Sequence, residues 1–222
     1  MKILGITGGT GSGKTTLLRC VERRGGVVID CDALYHELLQ SDAALLEGIS
    51  TRFPGVIAQG VLDRKKLGKL VFGDAAALCD LNRITHGAVC RAVREKLDAA
   101  RRDGTALAAV DAIALFESGL AALCGRTVAV TAPREQRIER LMRREGISAE
   151  YAAQRIDAQK CDEEFSQMAD FTLENAGTQA EFEEKCEQFL KGVFYMDKKY
   201  EALRKEVLFA PKNGYDRISE QD

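Results

Sequence analysis

The stretch Gly8-Gly9-Thr10-Gly11-Ser12-Gly13-Lys14-Thr15 decides how this chain folds. It has the form G-x-x-x-x-G-K-[ST] and lies between the apolar run Ile3-Leu4-Gly5-Ile6-Thr7 and the segment Thr16-Leu17-Leu18-Arg19-Cys20-Val21-Glu22. A short buried strand, a glycine-rich loop and a helix start are predicted in that order. The glycines let successive backbone N–H groups turn toward phosphate oxygens, and the helix directs its positive dipole end to the same place. Gly9, Thr10, Gly11, Ser12, Gly13, Lys14, Thr15 and Thr16 are therefore candidates for holding a nucleoside triphosphate such as ATP. Lys14 would reach the β and γ phosphates, and the Thr15 hydroxyl would hold Mg²⁺. The plain alternative, a strand-to-helix turn without a ligand, needs motif and flanks to coincide by chance.

Outward from this loop, Gly25-Gly26 stops the first helix and Val27-Val28-Ile29 forms a second apolar strand ending in Asp30-Cys31-Asp32. In open α/β sheets ligands bind beyond the carboxyl ends of strands, so both carboxylates arrive on the phosphate side. Either one of them only caps a helix beginning at Ala33, or at least one takes part in chemistry. Residues 33–103 read as helical, with breaks at Phe53-Pro54-Gly55, Gly60 and Gly73, and Asp63 and Asp74 are candidate N-caps. A crossover needs only about a dozen residues, so the surplus predicts an accessory lobe able to hold a second substrate.

Thr105–Val110 reads as a central strand with Asp111 at its carboxyl end, where the carboxylate either enters a Mg²⁺ shell or bonds a neighbouring backbone. Glu117 is either a cleft side chain or a helix-start charge. After a further strand, Thr127–Thr131, comes a helix carrying Arg134, Arg137, Arg140, Arg143 and Arg144, of which Arg137, Arg140 and Arg144 share a face. That face is either a solvated, salt-bridged surface or a set of arginines that folds over the triphosphate. Gly146 and Ser148 break the chain before a second helix, Ala149 to about Lys160, so 134–161 predicts a helical lid. Asp170–Asn175 is a last strand, Asn175 either bonding a nucleobase or supporting a turn, and Thr178 with Glu181 forms a capping box. The tail, 195–222, is charged, with disorder predicted toward its end. The fold class is α/β: a three-layer, doubly wound parallel sheet of the phosphate-loop NTPase type in one domain, with helical lobe and lid as insertions.

The formal net charge of −2 over 222 residues supplies no basic field for nucleic acid or an anionic membrane. No apolar run approaches the ~18 residues of a membrane span, so a cytoplasmic protein is expected. The seven cysteines include no C-x-x-C pair and there are two histidines, which disfavours zinc. Cys31 is the one thiol to check for reactivity, against the ordinary reading of a buried, reduced cysteine. A signalling GTPase would need N-K-x-D and D-x-x-G, and neither occurs.

Beyond the loop, eight segments run in order: G-I-T-G-G-T-G-S-G-K-T-T (5–16), V-I-D-C-D-A-L-Y-H (28–36), G-V-L-D-R-K-K-L-G-K-L-V-F (60–72), L-N-R-I-T-H (81–86), L-F-E (115–117), R-L-M-R-R-E-G (140–146), R-I-D-A-Q (155–159) and A-D-F-T-L-E-N-A-G (169–177). Together they resemble the dephospho-coenzyme A kinase family. The resemblance implies transfer of the ATP γ-phosphoryl group to the ribose 3′-hydroxyl of dephospho-coenzyme A with Mg²⁺. Asp32 would accept or orient the hydroxyl proton, and Lys14, Arg140 and Arg144 would stabilise charge. His36, Asp63, Arg64 and His86 would contact the acceptor, and Thr15 with Asp111 would hold the metal. His86 taken alone reads equally as a structural histidine. Gly87 and Ile113 stand where the family usually has proline, and Cys31 where it usually has alanine. A nucleoside or nucleoside-monophosphate kinase of the same fold is the rival enzyme. From another class, the rival is an ATP-binding regulatory or RNA-associated protein without turnover. A monomer is favoured.

Overall fold

Residues 3 to 7 are buried without interruption, which a strand achieves only when both of its faces are covered. They form β1 (Lys2–Thr7) of a parallel, helix-covered sheet. A computed structural model describes residues 1–58 and 60–195 of the chain. These fall into two units, one of Met1–Thr7 with Lys14–Thr127, the other of Gly8–Gly13 with the chain from Val128 onward. The predicted polar tail lies, from residue 196, outside the described residues.

In the first unit, β1 leads through the loop to α1 (Lys14–Arg23), and β2 (Val27–Asp30) ends directly in α2 (Cys31–Ser41). Next come α3 (Ala43–Arg52), a short antiparallel hairpin of β3 (Ile57–Ala58) and β4 (Val61–Leu62), α4 (Arg64–Val71), α5 (Ala75–Arg102) and β5 (Leu107–Asp111). β5 pairs in parallel with β1 on one side and β2 on the other, with Ile6 and Asp30 both in register with Asp111. Ala108 and Val110 of β5 pack with Ile3, Ile29 and the α5 residues Val89, Val93 and Leu97. Leu107 and Ala109 alternate to the opposite face, where α1 packs on β5. Both faces are thus buried, which is why the strand reads as continuously apolar.

The lobe of residues 33–103 is mainly helical as predicted, with its own core of Leu39, Leu45, Ile49, Phe53, Val56, Leu67, Ala77 and Ala88. The hairpin is an addition to that prediction. Its strands of two residues are too short to show alternation in sequence, and Gly60 at φ +77° marks the turn. Asp63 and Asp74 cap α4 and α5, accepting from Lys66 N and Ala77 N at 2.9 Å. Gly87 sits inside an uninterrupted α5, where a proline would remove an intrahelical hydrogen bond.

In the second unit, β6 (Arg126–Thr131) pairs in parallel with β7 (Phe171–Glu174), Val128 opposite Phe171. Between them run α6 (Arg134–Glu145), α7 (Ala149–Asp157) and α8 (Asp162–Met168), and α9 (Gln179–Tyr195) follows. The α6–α7 hairpin is as predicted, closed by Gly146 at φ +67° and the Ser148 cap. α7 ends at Asp157 rather than near Lys160, and α8 was not predicted. Its N-cap is Cys161, a residue type outside the usual capping set, so the boundary carried no signal. Within the first unit the strand order is β2-β5-β1, and within the second β6 lies beside β7.

Candidate active site

The backbone of the phosphate loop is gripped by side chains of the second unit. Thr10 donates its N–H to Gln159 Oε1 at 2.8 Å, and its carbonyl accepts from Arg137 Nε at 2.9 Å. Arg140 Nη1 donates to the Gly11 and Ser12 carbonyls at 3.2 and 3.4 Å, and Asn175 Nδ2 donates to Ser12 O at 2.8 Å. In a trans peptide the C=O and the following N–H point oppositely, so fixing the Thr10 and Ser12 carbonyls aims the Gly11 and Gly13 N–H groups to the other side. Those are the donors a phosphate cradle requires. Gly13 is at φ +106°, and a Cβ there would lie 2.2 Å from Asn175 Nδ2, so only glycine permits this approach.

Asn175 is buried, and its amide is committed on both sides, Nδ2 to Ser12 and Oδ1 to Arg140 Nη2 at 3.2 Å. Of the two sequence readings, this geometry matches support of a turn. Arg140 also bonds Gln136 Oε1 and Asn175 O. Arg144, one helical turn beyond Arg140, is exposed and paired with Glu145, which Arg155 also engages. Four residues of helix advance about 6 Å, and that suffices to carry Arg144 past the loop. The structure therefore brings Arg140 to the loop and leaves Arg144 at the surface.

In the first unit, Lys14 and Thr15 open α1. The Asp30-Cys31-Asp32 turn divides its carboxylates by role. Asp30 Oδ1 accepts from Asp32 N and Ala33 N at 2.9 Å, forming the N-cap of α2. Asp32 is exposed and lines a cavity of about 230 Å³ with Cys31, Tyr35, Asn82, Thr85 and His86. The cap belongs to the first aspartate, and the second is exposed on the cavity. Burial holds the His86 imidazole below its ordinary range, favouring the neutral ring. Burial, reinforced by Asp111, Asp30 and Asp32, pushes the Cys31 thiol up, which disfavours the thiolate form. His36 Nδ1 lies 3.1 Å from Arg64 Nη2. Asp63 is engaged as the α4 cap.

Asp111, at the carboxyl end of the central strand, has its carboxyl pushed up to about 6, by burial first and by Asp30 and Asp32, with Lys14 opposing. Its Oδ1 is buried without a hydrogen-bond partner. An orphaned carboxylate oxygen beside a lysine, with the Thr15 hydroxyl nearby in sequence, fits a hard cation with oxygen ligands. No group of three or more His, Cys, Asp and Glu side chains converges as a metal cage among the described residues. Sparse protein ligation is usual for Mg²⁺, which retains water and substrate oxygens.

The model of the dephospho-CoA kinase family matches residues 2–181. The chain belongs to that family. A dephospho-CoA kinase of Anaeromyxobacter dehalogenans is 38% identical over 192 residues, covering 86% of this chain and 91% of the relative. A Thermus thermophilus crystal structure is 34% identical with TM-score 0.71, covering 86% of this chain and 97% of its own. The dephospho-CoA kinase of Campylobacter jejuni is 27% identical with TM-score 0.61, covering 87% and 98%. The sequence marks Arg137 only as one of three arginines on a shared helix face, and it gives Gln159, Asp162, Tyr35 and Asn82 no individual role. For Arg137 the signal is its place on one helix face with Arg140; Gln159 ends the segment R-I-D-A-Q (155–159), which does not indicate its contact with Thr10.

Proposed function

We propose that this chain transfers the γ-phosphoryl group of ATP to the ribose 3′-hydroxyl of dephospho-CoA, the final step of coenzyme A synthesis. Family membership over most of the chain supports this reading, and the division of the two aspartates carries it at the level of chemistry. With Asp30 engaged in capping, the Asp32 carboxylate takes the 3′-hydroxyl proton as the oxygen bonds to the γ phosphorus. The bond to the β–γ bridging oxygen breaks, and ADP leaves. Lys14 and the loop N–H groups stabilise the charge that spreads over the phosphoryl oxygens. Thr15 and Asp111 are the proposed protein ligands of Mg²⁺, which when bound neutralises charge on the β and γ oxygens.

Residues 33–103 are the acceptor lobe of this proposal, with His86 and Asp32 both on the cavity wall, and the Arg64–His36 pair and Asp63 as its further acceptor contacts. Residues 134–161 are the cover over the triphosphate, where Arg144 must exchange Glu145 for phosphate. A cytoplasmic monomer acting on ATP and dephospho-CoA, without nucleic acid or membrane, completes the reading. Release of ADP measured with dephospho-CoA, nucleosides, nucleoside monophosphates and RNA tests it. Turnover with dephospho-CoA alone is expected. Stimulation only by a nucleoside monophosphate transfers the site to the rival kinase, and no stimulation by any acceptor removes the enzyme reading.

A further inference from the structure

Arg137 is the most deeply buried charged side chain described in the molecule, at 3% exposure. Its Nη1 donates to Asp162 Oδ1 at 2.9 Å, and the other oxygen of Asp162 accepts from Ala132 N at 3.1 Å. Its Nε donates to Thr10 O at 2.9 Å. Its Nη2 is buried without a partner and lies where a Cβ on Gly9 would be, 2.1 Å from that position. A Cβ at Gly11 would also meet the Arg137 backbone, 2.9 Å from its carbonyl oxygen. With Gln159 on the Thr10 N–H, both polar groups of residue 10 are held by α6 and the α7–α8 connection.

A buried guanidinium is costly to desolvate, and an isolated ion pair rarely repays that cost. Here the fork is divided between a carboxylate and a loop carbonyl, and the carboxylate is itself tied to the backbone at the start of α6. The rigid planar fork suits that division, which a lysine cannot reproduce. We propose that Arg137, oriented by Asp162, is a positioning residue: it locks the Thr10 peptide so that the loop N–H groups are set for the triphosphate before nucleotide arrives. Its partnered donors, Nε and Nη1, both touch protein, so it acts through the loop. This rests on the reading of that loop as the ATP site and not on the identity of the acceptor.

The prediction is selective for one substrate. Arg137→Met leaves the half-buried Thr10 carbonyl unsatisfied and frees the loop, so KM for ATP and the dissociation constant for ADP, read by calorimetry, rise about 10- to 100-fold. KM for dephospho-CoA changes less than about 2-fold. Asp162→Asn moves both nucleotide constants in the same direction by less, and Arg137→Lys restores little because it cannot divide its donors. The double variant R137M/D162N is no worse than R137M, since the residues act as one unit. Melting curves accompany each variant. Unchanged ADP affinity in R137M overturns the proposal, as does a rise in both substrate constants in step with a fall in melting temperature. Should R137M not fold, D162N and R137K carry the same readout, and unchanged ADP affinity in both overturns it equally. Failure of the acceptor assignment is separable: ADP affinity still shifts in a protein that ignores dephospho-CoA.

Discussion

The phosphate loop and the turn at Asp32 are both strand-to-helix junctions, yet the protein treats their polar groups in opposite ways. At the loop, the Thr10, Gly11 and Ser12 carbonyls are each bonded by a side chain from α6 or by Asn175. At the turn, Asp30 satisfies the helix start, Asp32 is exposed on a cavity, and Asp111 Oδ1 has no partner. The first junction is finished by protein; the second is completed by what binds. A surface for a group of constant shape, such as triphosphate, binds more tightly when it is already rigid, because ordering is not charged to each encounter. A reacting carboxylate must instead keep its lone pairs available.

The largest expected break in this contrast is at Asp32. Asp32→Asn removes the base and leaves the α2 cap intact, because capping belongs to Asp30. The turnover number should fall by about 10²- to 10⁴-fold, the usual worth of a positioned base, with ADP affinity unchanged in calorimetry. Near-normal turnover would remove Asp32 from the chemistry. On the loop side, Gly9→Ala places a methyl 2.1 Å from Arg137 Nη2 and displaces the guanidinium. It should weaken ADP binding at least about 10-fold, reproducing R137M without touching that residue. Wild-type affinity would show that the guanidinium moves aside at no cost.

The junction nearest the motif was the most legible in sequence, because phosphate chemistry restricts its residue types. The parallel sheet followed from continuous apolar runs such as Leu107–Val110, buried on both faces. Asp63, Asp74 and Ser148 were legible as caps because a short acceptor side chain before an apolar helix has few other uses. Arg137 and Arg144 were not distinguishable: both lie on the face of Arg140, and only distance along the axis buries one and exposes the other. Periodicity reports direction around a helix and not how far a neighbour extends along it. The service of Gln159 to Thr10, across 149 residues, leaves no local mark in sequence.

A smaller effect, on stability, is expected at Asp111. Its partnerless buried oxygen is held at a cost that an amide of the same shape reduces. Asp111→Asn should therefore raise the free energy of unfolding without nucleotide or metal by about 1–3 kcal/mol, read by denaturant titration, while lowering turnover. A destabilised variant would mean that Oδ1 has a partner in solution.

The smallest effect concerns the cavity beside Asp32. Burial lowers the His86 imidazole relative to the unfolded chain, so in the interval between the folded value and about 6.5 the unfolded state binds more protons. Stability from this residue is present above that interval and lost as pH falls through it. Melting temperature measured from pH 8 to 5 should therefore decline more in the wild type than in His86→Gln, whose side chain does not titrate. The other titratable groups lining the same cavity are Asp32, Tyr35 and the Cys31 thiol. An acceptor bound there should raise the melting temperature and steepen the wild-type decline, because binding favours the folded state and filling the cavity lowers the ring further. Identical slopes in the two proteins would place the His86 ring in water, and with it remove the neutral wall that distinguishes the acceptor side from the charged grip on the loop.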